Sequence, residues 1–213
     1  MQKHYSERRT EDVTIDLLNI QGWDSLSRPP RGRLLRQNEY KDFQPLRSLF
    51  AGKSKSGGGD AYPDFLLVDE SACIPQVVIE TKAKQSDFDE AIADAKHYAD
   101  ACLSMGHEVV AIGVAGQEKT GMSVRVFKFT PTHRKWEAVT HEGRPTSWIP
   151  TPHDTEKLIA ARSLIDLAPV VPRPEVLSSK ADGINRLLRV CRCKGVICQT
   201  GFHAKTSESG LPQ

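Results

Sequence analysis

DAYPDFLLVDESACIPQVVIETK, residues Asp60 to Lys82, is the stretch around which this chain reads as organised. A polar approach, Ser56-Gly57-Gly58-Gly59, leads into it and ends at the Pro63-Asp64 pair. Two short apolar runs follow, Phe65-Leu66-Leu67-Val68 and Val77-Val78-Ile79, with turn residues between them. Runs of this length bounded by turns predict paired strands. The second run ends in Glu80-Thr81-Lys82. Charges at the ends of apolar strands need compensation, because burying an unpaired charge is expensive.

Strand geometry supplies a form of it. Side chains alternate faces, so Glu80 and Lys82 share one face and Thr81 takes the other. If the runs form a hairpin, Asp64 lies near Glu80 and Lys82. Two carboxylates this close repel, and one tends to protonate. A divalent cation removes the conflict, and Mg²⁺ is suited to one or two carboxylates completed by water and substrate phosphate. A lysine beside it can orient the attacking water or neutralise charge on a phosphate. The competing reading of the same residues is a surface hairpin whose end charges are solvated.

Pro63-Asp64 followed by Glu80-x-Lys82 resembles the signature of the PD-(D/E)xK nuclease superfamily. The fuller wording, YPDFLLVD and then VVIETKAK, is most similar to the N-terminal nuclease domain of the endonuclease subunit of type I restriction enzymes. It is also similar to nuclease domains fused to N6-adenine DNA methylases. The context includes sixteen residues from Asp64 to Glu80, an apolar run directly before the motif, and a helical pattern directly after it. The resemblance implies a restriction-endonuclease-like α/β core, with a central mixed sheet flanked by helices and a C-terminal helical extension. It implies Mg²⁺-dependent hydrolysis of phosphodiesters in double-stranded DNA, with Mn²⁺ able to substitute. Asp64, Glu80 and Lys82 would be the catalytic set, with Asp64 and Glu80 holding the metal. An acidic residue on the first helix often joins them; Glu11 matches by position, with Asp12 beside it. Implied partners are methylase and specificity subunits or a fused methylase domain. The helix after the motif often carries a glutamine four residues before a tyrosine in these families. Tyr98 is present here, but Asp94 stands in the glutamine position. The alternative is therefore an inactive nuclease-fold module for DNA binding or assembly.

The rest of the sequence is compatible with this reading. Its 213 residues are 38% hydrophobic and 26% charged, ordinary for a globular protein. The net charge of +2 hides a segregation. Residues 1–59 carry 11 Lys/Arg against 7 Asp/Glu, residues 60–130 carry 6 against 12, and residues 131–213 carry 12 against 8. An acidic centre between basic flanks suits a metal site with phosphate-binding surroundings. No apolar stretch approaches membrane-spanning length, and the N-terminus has no signal core. Five cysteines without a signal predict reduced thiols and a cytoplasmic location.

Val13, Leu17 and Ile20 recur at helical spacing, predicting a helix from about Ser6 to Ile20 that Gly22 ends. Residues 24–59 give little periodicity. The tract from Ser27 to Arg33 is basic and rich in Pro and Gly and reads as a loop, with Arg31 and Arg33 placed to contact phosphate. The Lys53–Gly59 tract reads as a flexible linker, without the spacing of a P-loop. Lys84 and Tyr98 complete the DNA-binding candidates. A helix capped by Ser86 is predicted to run to about Leu103, with Phe88, Ala91, Ile92, Ala95, Ala99 and Cys102 on its apolar face. Val109–Val114 reads as a fully buried strand, followed by strands around Val124–Phe129 and Trp136. The nuclease-like domain is predicted to occupy residues 1–148. A helical connector at 149–190 follows, with helices near 154–167 and 181–190; the resemblance to the methylase-fused domains implies that such a connector leads toward a following domain. Residues 191–213 are predicted to be disordered. Cys191, Cys193, Cys198 and His203 lack the paired C-x2-C spacing usual for zinc.

Overall fold

The computed structural model describes residues 6–25, 28–29, 32–54, 59–60, 62–71, 74–118, 121–161 and 167. The chain divides into two compact units, residues 1–169 and 170–213. The described residues all belong to the first. The expected helix at 181–190, the cysteine-containing tail and Arg31 lie outside them.

The first unit is a mixed α/β assembly. In chain order its elements are α1 (Glu7–Ile20), β1 (Leu34–Arg36), 3-10 turns at Gln37–Asp42 and Gln44–Leu46, β2 (Phe65–Val68) and β3 (Pro75–Lys82). A 3-10 turn at Gln85–Asp87 leads into α2 (Phe88–Ser104), followed by β4 (Val110–Ala115), β5 (Ser123–Thr130) and β6 (Lys135–Ala138). A small β7–β8 ribbon (Thr140–His141, Arg144–Pro145) and α3 (Pro152–Ala160) complete it. The six larger strands form one sheet in the order β1-β2-β3-β4-β5-β6. Only the β3–β4 pair is parallel. A parallel neighbour requires a crossover, and α2 supplies it.

Strand alternation builds a core on each side of this sheet. Phe65, Leu67, Val77, Ile79, Val110, Ile112 and Val114 face a cluster that includes Ile15 and Leu18 of α1 and Leu158 of α3. Leu66, Val68, Val78 and Ala111 face the other cluster, with Ala95, Ala99 and Cys102 of α2. Both faces of β2, β3 and β4 are thus covered, which explains their nearly unbroken apolar runs. Burying each large apolar side chain contributes about 1.5–3 kcal/mol. The core continues past residue 148: Ile149 and Leu158 are buried, and the Trp23 Nε1 donates to the Pro150 carbonyl at 2.8 Å.

Local signals explain the element ends. Gly22 and Gly106 follow α1 and α2 with positive φ (86° each), as expected of residues closing a helix. α2 begins after the 3-10 turn, with Asp87 as its N-cap and no side-chain cap. The predicted cap, Ser86, instead donates to the Asp87 carboxylate at 2.7 Å. α3 starts earlier than its periodicity suggests, because Thr151 Oγ1 accepts from the Asp154 N–H at 3.1 Å and Pro152 fits the first turn. The ammonium of Lys128 donates to the carbonyls of Leu158 and Ala161 where α3 ends.

Residues 34–50 carry little periodicity in the sequence, yet they are part of the fold. They form β1 and a packed turn segment, with Leu35, Tyr40, Leu46, Leu49 and Phe50 buried in the α2-side core. Tyr40 and Phe50 meet edge to face at 5.0 Å, and Phe50 meets Tyr98 at 6.0 Å.

Candidate functional site

The β2–β3 register aligns Phe65 with Ile79. One step further brings Asp64 opposite Glu80. The two residues are then locked together through backbone and side chain. The Asp64 N–H donates to Glu80 Oε1 at 3.0 Å. The Asp64 carboxylate turns toward the next residue of β3, accepting from the Thr81 N–H at 2.8 Å and the Thr81 hydroxyl at 2.7 Å. The Asp64 carbonyl accepts from the Gln37 N–H at 3.2 Å, tying in the end of β1. Gln37 is held at φ 43°, a left-handed conformation costing a non-glycine residue about 1–2 kcal/mol.

Glu80 and Lys82 lie on the α2 side, as alternation predicts. Glu80 is buried (6% exposed). Lys82 reaches α2, where its Nζ stands 2.8 Å from Glu90 Oε1 and 3.2 Å from Asp94 Oδ2. Burial opposes the charge on Lys82, but hydrogen bonds to Glu90 and Asp94 more than offset it and raise its pKa. Lys82 is therefore a cation here and not a proton acceptor. Tyr98, one turn after Asp94, is buried against Phe50 and His97. Burial, then the charges of Glu80 and Asp94, push its pKa up to about 12.

Glu11 stands on α1, on the opposite side of the sheet. Burial and then the Asp64 charge raise its pKa, while Arg36 works against them. Glu11 thus senses Asp64. However, among the described residues no three His, Cys, Asp or Glu side chains converge as a metal-ligating group, so Glu11 does not join Asp64 and Glu80 in one cluster. Hydrogen bonds from Gln117 Nε2 to the Ser6 carbonyl (2.6 Å) and from Arg9 Nε to the Gln117 carbonyl (3.1 Å) anchor the start of α1 to the turn after β4.

The predicted DNA contacts divide. Lys84 is exposed just beyond β3. Arg33 is engaged internally, with Glu70 at 2.8 Å, Glu156 at 3.7 Å and the Trp23 ring at 5.9 Å. Tyr98 is part of the core. Thr81 is a site residue that the motif does not single out, because it lies between the alternate positions Glu80 and Lys82. Nor does it single out Arg36 and Gln37, which lie where periodicity is weakest.

Asp64 and Glu80 offer carboxylate oxygens, the ligand type a hard divalent cation takes, with Oδ2 of Asp64 held by Thr81 and Oε1 of Glu80 held by the Asp64 N–H. Among the described residues no helix is long and apolar enough to cross a membrane. Comparison of the chain with protein-family models, with curated proteins and with solved structures gives no match.

Proposed function

We propose that this chain is a metal-dependent DNA endonuclease domain of restriction type, with a restriction-endonuclease-like core. The observation that carries the proposal is the cross-strand pairing of Asp64 with Glu80, beside Lys82 on the Glu80 face. Asp64 and Glu80 would hold Mg²⁺, for which Mn²⁺ could substitute. The bound ion would supply charge neutralisation and Lewis-acid polarisation at the scissile phosphate. Thr81 fixes the orientation of the Asp64 carboxylate through two hydrogen bonds. Lys82 stays protonated and offsets negative charge developing on the phosphate or orients the attacking water. Methylase and specificity subunits, or a fused methylase domain, would supply target choice.

The test is incubation of the chain with plasmid DNA and Mg²⁺. Cleavage is expected, and it should disappear on chelation and in Lys82→Ala. Cleavage surviving both treatments would remove this mechanism.

A second reading is favoured by one specific contact. Lys82 is held by Glu90 and Asp94, the latter at the position where the resembling families favour glutamine. A module with Lys82 permanently held there would bind DNA or assemble with partners without cutting. Salt-dependent DNA binding without cleavage in Mg²⁺ or Mn²⁺ would favour this reading over the first.

A further inference from the structure

Arg36 ends β1, and its backbone stands opposite Phe65, the residue directly after Asp64. Its guanidinium carbon lies 5.7 Å from the centroid of the Phe65 ring, an arrangement that restrains the side chain against the end of the sheet. The next residue, Gln37, donates its N–H to the Asp64 carbonyl. From α1, Glu11 feels the opposing charges of Asp64 and Arg36. Arg36 thus stands within electrostatic reach of the acidic site. Yet among the described residues its guanidinium forms no salt bridge within 4.0 Å. Its neighbours differ: Arg33 pairs with Glu70 and Glu156, and Arg28 pairs with Asp42 at 2.6 Å.

We propose that Arg36 contacts the phosphodiester backbone of duplex DNA beside the Asp64–Glu80 pair. This inference rests on the nuclease reading of that pair. An acidic site repels a phosphate unless a cation receives it. Lys82 is already shared between two carboxylates. Arg36 is half-buried, restrained by an aromatic face, and carries a planar fork that matches two phosphate oxygens. Its stem is ordered before DNA arrives, so less side-chain freedom is lost on binding.

The test is fluorescence anisotropy of a labelled duplex, in EDTA, across a salt series. Wild-type affinity should fall with salt. Arg36→Met should weaken binding roughly tenfold and reduce the slope of log K against log salt by about one phosphate contact, ~0.9. Arg36→Lys should keep the slope, and Arg33→Met, which removes an internally paired arginine, should leave it unchanged. Should Arg36→Met fail to fold, Arg36→Gln carries the same expectation. A wild-type slope and affinity in the Met or Gln variant overturns the assignment of Arg36 alone. A wild-type chain with no salt-dependent affinity overturns this inference, while the nuclease reading is judged separately by Mg²⁺-dependent cleavage of plasmid DNA.

Discussion

Lys82 and Asp94 form an ion pair between β3 and α2, with Nζ 3.2 Å from Oδ2. The Asp94 side chain is only 11% exposed, whereas that of Glu90, the other partner of Lys82, is 62% exposed. The two carboxylates should therefore differ in weight. Asp94→Gln is expected to cost about 1–3 kcal/mol, because it leaves a half-buried ammonium with only a solvated partner. Glu90→Gln should change stability by less than about 1 kcal/mol. Urea unfolding of the two variants checks this, and equal losses would refute the ranking.

Gly113 of β4 stands beside Glu80 in the parallel register. A methyl group there would lie 2.8 Å from the Ile92 backbone nitrogen and 2.9 Å from its Cα. α2 can approach the sheet this closely only because no side chain intervenes. Gly113→Ala should displace α2 or strain the sheet at a cost of about 1–3 kcal/mol. A shift of the urea midpoint to lower concentration is the expected outcome, and an unchanged midpoint would show that α2 has room to spare.

Phe50 reports on the segment that periodicity left unread. It is fully buried between Tyr40 and Tyr98. Phe50→Ala should cost about 3–5 kcal/mol. A substitution in a solvated linker would change stability by less than about 0.5 kcal/mol. Thermal or urea denaturation separates the two outcomes.

Alkaline titration probes the same core. Burial pushes both Tyr40 and Tyr98 from 10.0 up to about 12. A buried neutral phenol stabilises the fold below pH 10, where the unfolded chain is also neutral. That contribution is lost as pH rises from the unfolded value through the folded one. Stability should therefore fall between about pH 10 and 12. Tyr40 and Tyr98 should ionise late when phenolate absorbance is followed. Ionisation of both near pH 10 would contradict the packing.

The sequence made the centre of the sheet legible for a physical reason. β2, β3 and β4 are covered on both faces, so their apolar runs are nearly continuous, and the charges at their ends stand out. Alternation alone predicted that Glu80 and Lys82 share a face. It could not predict that Thr81, on the opposite face, would hold the Asp64 carboxylate, because Asp64 lies just beyond the end of β2 and its side chain turns toward the next residue of β3. The fate of Lys82 was also hidden. Its partners Glu90 and Asp94 are brought to it by the seating of α2, which is a tertiary effect. Residues 34–50 carry no legible pattern because a three-residue strand and short 3-10 turns leave neither a period of two nor one of 3.6.

The proposed function requires Asp64 and Glu80 together to hold a divalent cation. Calorimetric titration of the chain with Mn²⁺ tests it most directly, alongside Asp64→Asn and Glu80→Gln. Saturable binding at one site is expected in the wild type, weakened roughly tenfold or more in each variant. Equal heats for all three proteins, or wild-type affinity retained in both variants, would contradict it.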